Sequence, residues 1–161
     1  MPVYHFTFHA YGTWLPDHPQ GYILRNKGWQ PPSDASAGLY RSQMQQHPAA
    51  FSPITQQHII RALIECQTYQ RHTLYAIATD STHIHTVTAW TDERAPTSVR
   101  SQIKSKMARS LNKRFIKKKW LAANAGQTPV QDTAHLYRLV HEYLPKHEMY
   151  WHYKQNECDA S

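Results

Sequence analysis

At 161 residues, with eighteen Lys and Arg against eleven Asp and Glu, the chain has the size of one domain and a net charge of +7. Ten Tyr, five Trp and four Phe exclude a chain too polar to bury a core, and no run approaches the roughly 18 apolar residues of a membrane span. The charge balance favours polyanionic partners, nucleic acid ahead of an anionic membrane.

The start, Met1-Pro2-Val3-Tyr4-His5, lacks the basic and then apolar segments of a secretory signal. Cys66 and Cys158 form no CxxC pair, so a reduced, cytoplasmic chain without membrane contact is expected. Residues 3–10 alternate as a strand does, and Tyr11-Gly12-Thr13-Trp14-Leu15-Pro16 ends it. Residues 16–55 hold six of the ten prolines and three of the five glycines, a texture that predicts a surface-wrapped insertion anchored by Trp29 and Tyr40. The whole of 1–161 is then one domain carrying that insertion.

Residues 54–71 predict a helix, with Ile59, Ile60, Leu63, Ile64 and Gln67 along one face. Residues 73–79 predict a strand, and the turn Asp80-Ser81-Thr82 joins it as an antiparallel hairpin to the strand at 83–90. That last strand opens with His83-Ile84-His85. Alternation sends both histidines to one face, about 7 Å apart along the strand, while Ile84 turns the other way into a core.

A helix is predicted at 97–115, with Val99, Ile103, Met107, Leu111 and Phe115 in an apolar stripe that drifts around its axis. From Arg94 to Gln131 there are ten basic residues and no acidic one. Arg100, Lys104, Lys106, Arg109, Lys113 and Arg114, with the run Lys117-Lys118-Lys119, are candidates for phosphate contact, and Trp14, Trp29 or Trp120 for base stacking. Residues 123–131 read as a loop with a short strand near Thr128-Pro129-Val130. A final helix opens at Asp132 or Thr133 and carries Leu136, Leu139, Val140, Tyr143 and Leu144 on its apolar face. The expected fold class is α+β, a mostly antiparallel sheet with packed helices in a ferredoxin-like layout.

Two imidazoles on one strand face can grip a cation but need further ligands. A histidine-triad hydrolase would require a third alternate histidine where Val87 stands, and no HExxH zinc motif is present. Tyr143 and His147, four residues apart, share a face if the last helix continues, and that face packs toward the histidine strand. Tyr143 is equally readable as a core aromatic and His147 as a surface residue past the helix end. Pro145 complicates the geometry, since a kink there either spoils the alignment or aims His147 inward.

The ordered set of His-Ile-His on a strand, a basic helix, and Tyr143 with a ligand candidate at i+4 resembles the single-tyrosine HUH transposases. The Tyr-Gly-Thr-Trp-Leu-Pro opening, the proline-rich segment after it, and Trp120 followed by Gly126 and Thr128 resemble the branch close to the REP-associated tyrosine transposases. The resemblance runs from about Tyr4 to His147. It implies an HUH nuclease sandwich with His83 and His85 as metal ligands and Tyr143 as nucleophile. His147 falls where many members place a glutamine as third ligand. It also implies Mg²⁺ or Mn²⁺ as cofactor, hairpin-containing single-stranded DNA as partner, and a homodimer in part of the family. The activity implied is that of an endonuclease and strand transferase working through a 5′-phosphotyrosine. The alternatives are a non-catalytic nucleic-acid binder of the same fold and a metal-dependent hydrolase of small nucleotides.

Overall fold

The computed structural model describes residues 1–24 and 26–153. In chain order the elements are strands β1 (Val3–Ala10), β2 (Tyr22–Leu24) and β3 (Gly28–Gln30), then helices α1 (Asp34–Gln43) and α2 (Pro53–Cys66). Strands β4 (Thr73–Thr79) and β5 (His83–Ala89) follow, then α3 (Pro96–Arg114), β6 (Leu121–Pro129), α4 (Thr133–Arg138) and β7 (Met149–His152). Five strands form one antiparallel sheet in the order β6-β1-β5-β4-β7. Two split β-α-β units, β1-α2-β4 and β5-α3-β6, interleave to give the ferredoxin-like order β6-β1-β5-β4, and β7 extends its edge. The α+β class expected from the sequence is the one found.

Alternation sorts the sheet into two faces. On the first, Phe6, Phe8, Leu74, Ile77 and Ile84 pack against Ile59 and Leu63 of α2 and against α3. The α3 stripe at four-residue spacing buries Val99, Ile103, Met107 and Leu111 completely, because α2 fills the side toward which it drifts. Ser52 caps α2 by accepting from the Thr55 amide at 3.3 Å, and Pro53 occupies its first turn, where a missing N–H costs nothing. On the second face, Ala76, Ala78 and Val87 receive Leu139, Val140 and Leu144 from the C-terminal segment. The two alanines leave room for that segment to lie close.

Three expectations need correcting. First, segment 16–55 holds the β2–β3 hairpin and α1, but its anchors are not those expected. Trp29 and Tyr40 do not anchor it, being 63% and 45% exposed. Buried Phe51, Ala49 and Ala37 do so, with backbone bonds from Ala49 to Tyr11 and from Phe51 to Ser81, both 2.8 Å. Gly12 makes that closure possible, because its φ is +77° and a Cβ there would lie 2.4 Å from Met44 Cε.

Second, residues 121–129 are a nine-residue edge strand, not a loop with a short strand. Ala, Asn, Gly and Gln carry little strand signal, and pairing with β1 decides the conformation. Third, the last helix does not run on. Asp132 caps α4, accepting from the His135 amide at 2.7 Å, but α4 passes into a π-helical turn (Leu139–Tyr143), a 3₁₀ turn (Leu144–Lys146) and the unanticipated β7. Pro145 offers no N–H to the carbonyl four residues back and its ring crowds that carbonyl, so the chain widens and then tightens around it. Cys66 is buried, whereas Cys158 lies outside the described residues. No helix among the described residues is long and apolar enough to cross a membrane.

Ile84, fully buried between the two histidines, ties the site strand to the core. Ile84→Ala is expected to cost about 2–5 kcal/mol in urea unfolding, and a loss under about 1 kcal/mol would contradict this packing.

Candidate functional site

The register of β1 on β5 builds the second face: Thr7 stands opposite His85 and His9 opposite His83, with His5 one step along, opposite Val87. His85 is 4% exposed. Its Nδ1 lies 3.0 Å from His5 Nε2 and 3.2 Å from Thr7 Oγ1, so that nitrogen is held in place by β1. Its Nε2 is buried and has no hydrogen-bond partner among the described residues.

His147 reaches the same spot from the other side. It caps the 3₁₀ turn in extended conformation, and its Nδ1 lies 3.0 Å from the Leu144 carbonyl, which fixes Nδ1 as the donor. Nε2 is thereby left as the lone-pair nitrogen. Of the two outcomes open at Pro145, the turn aims His147 inward: its ring centre is 4.6 Å from that of His85 and 5.5 Å from that of His83. One ligand atom from each of His83, His85 and His147 falls within a 4.8 Å group.

Tyr143 is no core aromatic. The residue is 44% exposed, and its ring stands edge-on to His147 at 5.2 Å, His85 at 5.6 Å and His5 at 6.2 Å between centres. Tyr150, by contrast, donates its hydroxyl to the Val140 carbonyl, and Tyr137 packs on His141.

The donor set suits a divalent cation: three imidazoles, each with its Nδ1 engaged by a neighbour, and in His85 a buried nitrogen left without a partner. Burial disfavours the charged form of the strand histidines, which leaves their nitrogens ready to ligate. Burial pushes His85 down to about 2 and His5 to about 4, with neighbouring imidazoles adding to both shifts. His83 and His9 are lowered by burial too, though Asp80 pulls His83 the other way.

Most of the basic candidates stand apart from this cluster. The stripe that buries α3 packs on the first face of the sheet, across it from Tyr143. Arg100 donates to the Ala125 carbonyl at 2.8 Å and Lys104 to the Ala123 carbonyl at 2.6 Å, so both hold edge strand β6. Lys106 lies over the Tyr69 ring and Arg114 over Phe115, while Arg109 and Lys113 are exposed. Among the tryptophans proposed for stacking, Trp120 is buried and bonded to Asn112. Trp14 is partly exposed, stacked on His18 at 3.6 Å and set against His9 at 4.8 Å, beside the histidine face.

Sequence reasoning missed His5, His9 and Asp80. The first two were legible, since His5, Thr7 and His9 alternate onto one strand face. Asp80 reads only as a turn residue until the hairpin closes and brings its Oδ2 to 3.1 Å from His83 Nε2.

Two outcomes are expected. Unfolded histidines protonate near pH 6.5, whereas native His5 resists to about 4 and His85 to about 2. Stability is thus fully present above about pH 6.5 and declines as pH falls toward 4 and below. The urea midpoint should be lower at pH 4.5 than at pH 7, and equal midpoints would refute the neutral cluster. Mn²⁺ should raise the thermal midpoint, by about 2.7 kcal/mol equivalent at a hundredfold excess over Kd, and His85→Ala should erase that rise.

No protein-family model matches the chain, and no curated protein does. Among solved structures, the chain is similar to that of a REP-associated tyrosine transposase bound to a REP hairpin, at 10% sequence identity and a TM-score of 0.46, over 89% of this chain and 70% of that one.

Proposed function

We propose that this chain is a metal-dependent endonuclease and strand transferase acting on single-stranded DNA, with Tyr143 as nucleophile and His83, His85 and His147 holding Mg²⁺ or Mn²⁺. One observation carries the reading: a half-exposed phenol stands beside two imidazoles of a three-histidine group, His85 at 5.6 Å and His147 at 5.2 Å between ring centres.

A divalent cation held there would relieve charge on the non-bridging oxygens of a phosphodiester. The chain's own groups do the rest. Exposure leaves the Tyr143 ring accessible to a DNA backbone, and its phenol proton leaves to water. The phenolic oxygen attacks phosphorus, the bond to the 3′ oxygen breaks, and that oxygen takes up a proton as a free 3′-hydroxyl. The 5′ phosphate stays esterified to Tyr143. Because one phosphoester replaces another, a second 3′-hydroxyl can reverse the step and join new ends without ATP. His5 and Thr7 hold the His85 ring throughout.

Unpaired bases stack on the accessible ring of Trp14, next to the histidine face. Arg109, Lys113 and Arg114 lie across the sheet from the site and meet phosphates of the hairpin remote from the scissile one, and Lys106 adds charge beside them. Arg100 and Lys104 contribute chiefly by holding β6.

The test uses a hairpin-containing single-stranded oligonucleotide with Mn²⁺. Wild type should form a covalent protein–DNA adduct on denaturing gels. Tyr143→Phe should lower adduct formation by about a thousandfold or more while oligonucleotide affinity stays within about twofold. An adduct that persists in Tyr143→Phe would name another tyrosine. Binding without an adduct under every divalent metal would favour the non-catalytic binder.

A further inference from the structure

We propose that Asp80 is a fourth ligand of the cation site, turning three imidazoles into a three-histidine, one-carboxylate set that favours Mn²⁺ over Mg²⁺. The inference rests on the cation-holding half of the proposed function and is independent of the tyrosine chemistry.

Asp80 sits in the turn between β4 and β5, where its amide donates to the His83 carbonyl at 2.9 Å and closes the hairpin. Its two carboxylate oxygens have different surroundings. Oδ1 accepts the Glu148 amide at 2.9 Å, which fixes the plane of the group. Oδ2 is thereby aimed at the histidines, 3.1 Å from His83 Nε2 and 4.0 Å from His147 Nε2. Donor atoms bonded to one metal at about 2.1 Å lie about 3–4 Å from one another, and both separations fall in that range.

The other ring nitrogen of His83 is engaged by the Thr82 hydroxyl at 3.0 Å, so Nε2 is the nitrogen that faces the carboxylate. Glu148, the second acid nearby, has its Oε2 accepting from the Gln56 side-chain amide at 2.8 Å and, unlike Asp80, makes no ion pair with the cluster histidines among the described residues. Asp80 is therefore the anionic oxygen donor on offer among the described residues of this cluster. Chemistry then sets the preference. Mg²⁺ demands oxygen ligands and keeps its waters, three imidazoles alone suit Zn²⁺ and copper, and a carboxylate beside imidazoles suits Mn²⁺.

The experiment is calorimetric titration of the full chain with Mn²⁺ and, separately, Zn²⁺, without DNA. Asp80→Asn keeps an acceptor for the Glu148 amide but removes the charge. It should weaken Mn²⁺ binding about tenfold to a hundredfold and Zn²⁺ binding distinctly less. Mn²⁺ affinity within about twofold of wild type overturns the assignment, as does equal loss for both metals, which marks Asp80 as merely orienting His83. Should Asp80→Asn fail to fold, infrared difference spectra of wild type with and without Mn²⁺ decide: a shifted carboxylate stretch supports ligation, and none overturns it. Failure of wild type to bind Mn²⁺ overturns this inference together with the metal half of the function. A Tyr143→Phe variant that still forms adducts would overturn only the nucleophile.

Discussion

The pairing of β1 with β5 is the constraint on which the site depends. In that register Thr7 meets His85, His9 meets His83, and Phe6, Phe8 and Ile84 point together into the opposite core. A slip of one residue would exchange the faces, burying imidazoles among phenylalanines and presenting Ile84 to the C-terminal segment. The apolar core thus does more than hold the sheet together. By making that exchange prohibitively costly, it keeps the imidazoles on the face reached by Tyr143 and His147.

The same division separates two kinds of charge. On the histidine face, His5 and His85 are neutral near pH 7, since burial holds both well below their ordinary value. The basic residues of α3 lie beyond the sheet, some of them spent on the carbonyls of β6. A net charge of +7 read from the sequence therefore overstates how much cationic surface faces the candidate site. Any polyanion at Tyr143 would be drawn there by a bound cation more than by side chains next to it.

Period-2 and period-4 patterns made β1, β4, β5, α2 and α3 legible, because each buries one face and the pattern records that burial. The strand at 121–129 was not, since an edge strand with little to bury leaves no alternation, and its partner supplies the order. Residues 139–152 were misjudged for a different reason. Apolar spacing at Leu136, Leu139, Val140 and Leu144 is that of a regular helix, and only Pro145 hinted at a change in winding. In the site, His83, His85, His147 and Tyr143 were all in view, and the structure brings their rings together. Asp80 was hidden because its proximity to His83 is created by the hairpin turn, where three residues of sequence fold back to a single contact.

The wide turn at Leu139–Tyr143 makes segment length a determinant in its own right. Its amide at Leu144 bonds back five residues, to Leu139, so one more residue is stored there than regular winding would hold. Removing one residue of that turn ahead of Tyr143 would restore ordinary pitch and swing the phenol by about 100° around the axis, away from the imidazoles, without altering one atom of its chemistry. Between Asp132 and His147, the number of residues constrains the site as firmly as the identity of any one of them.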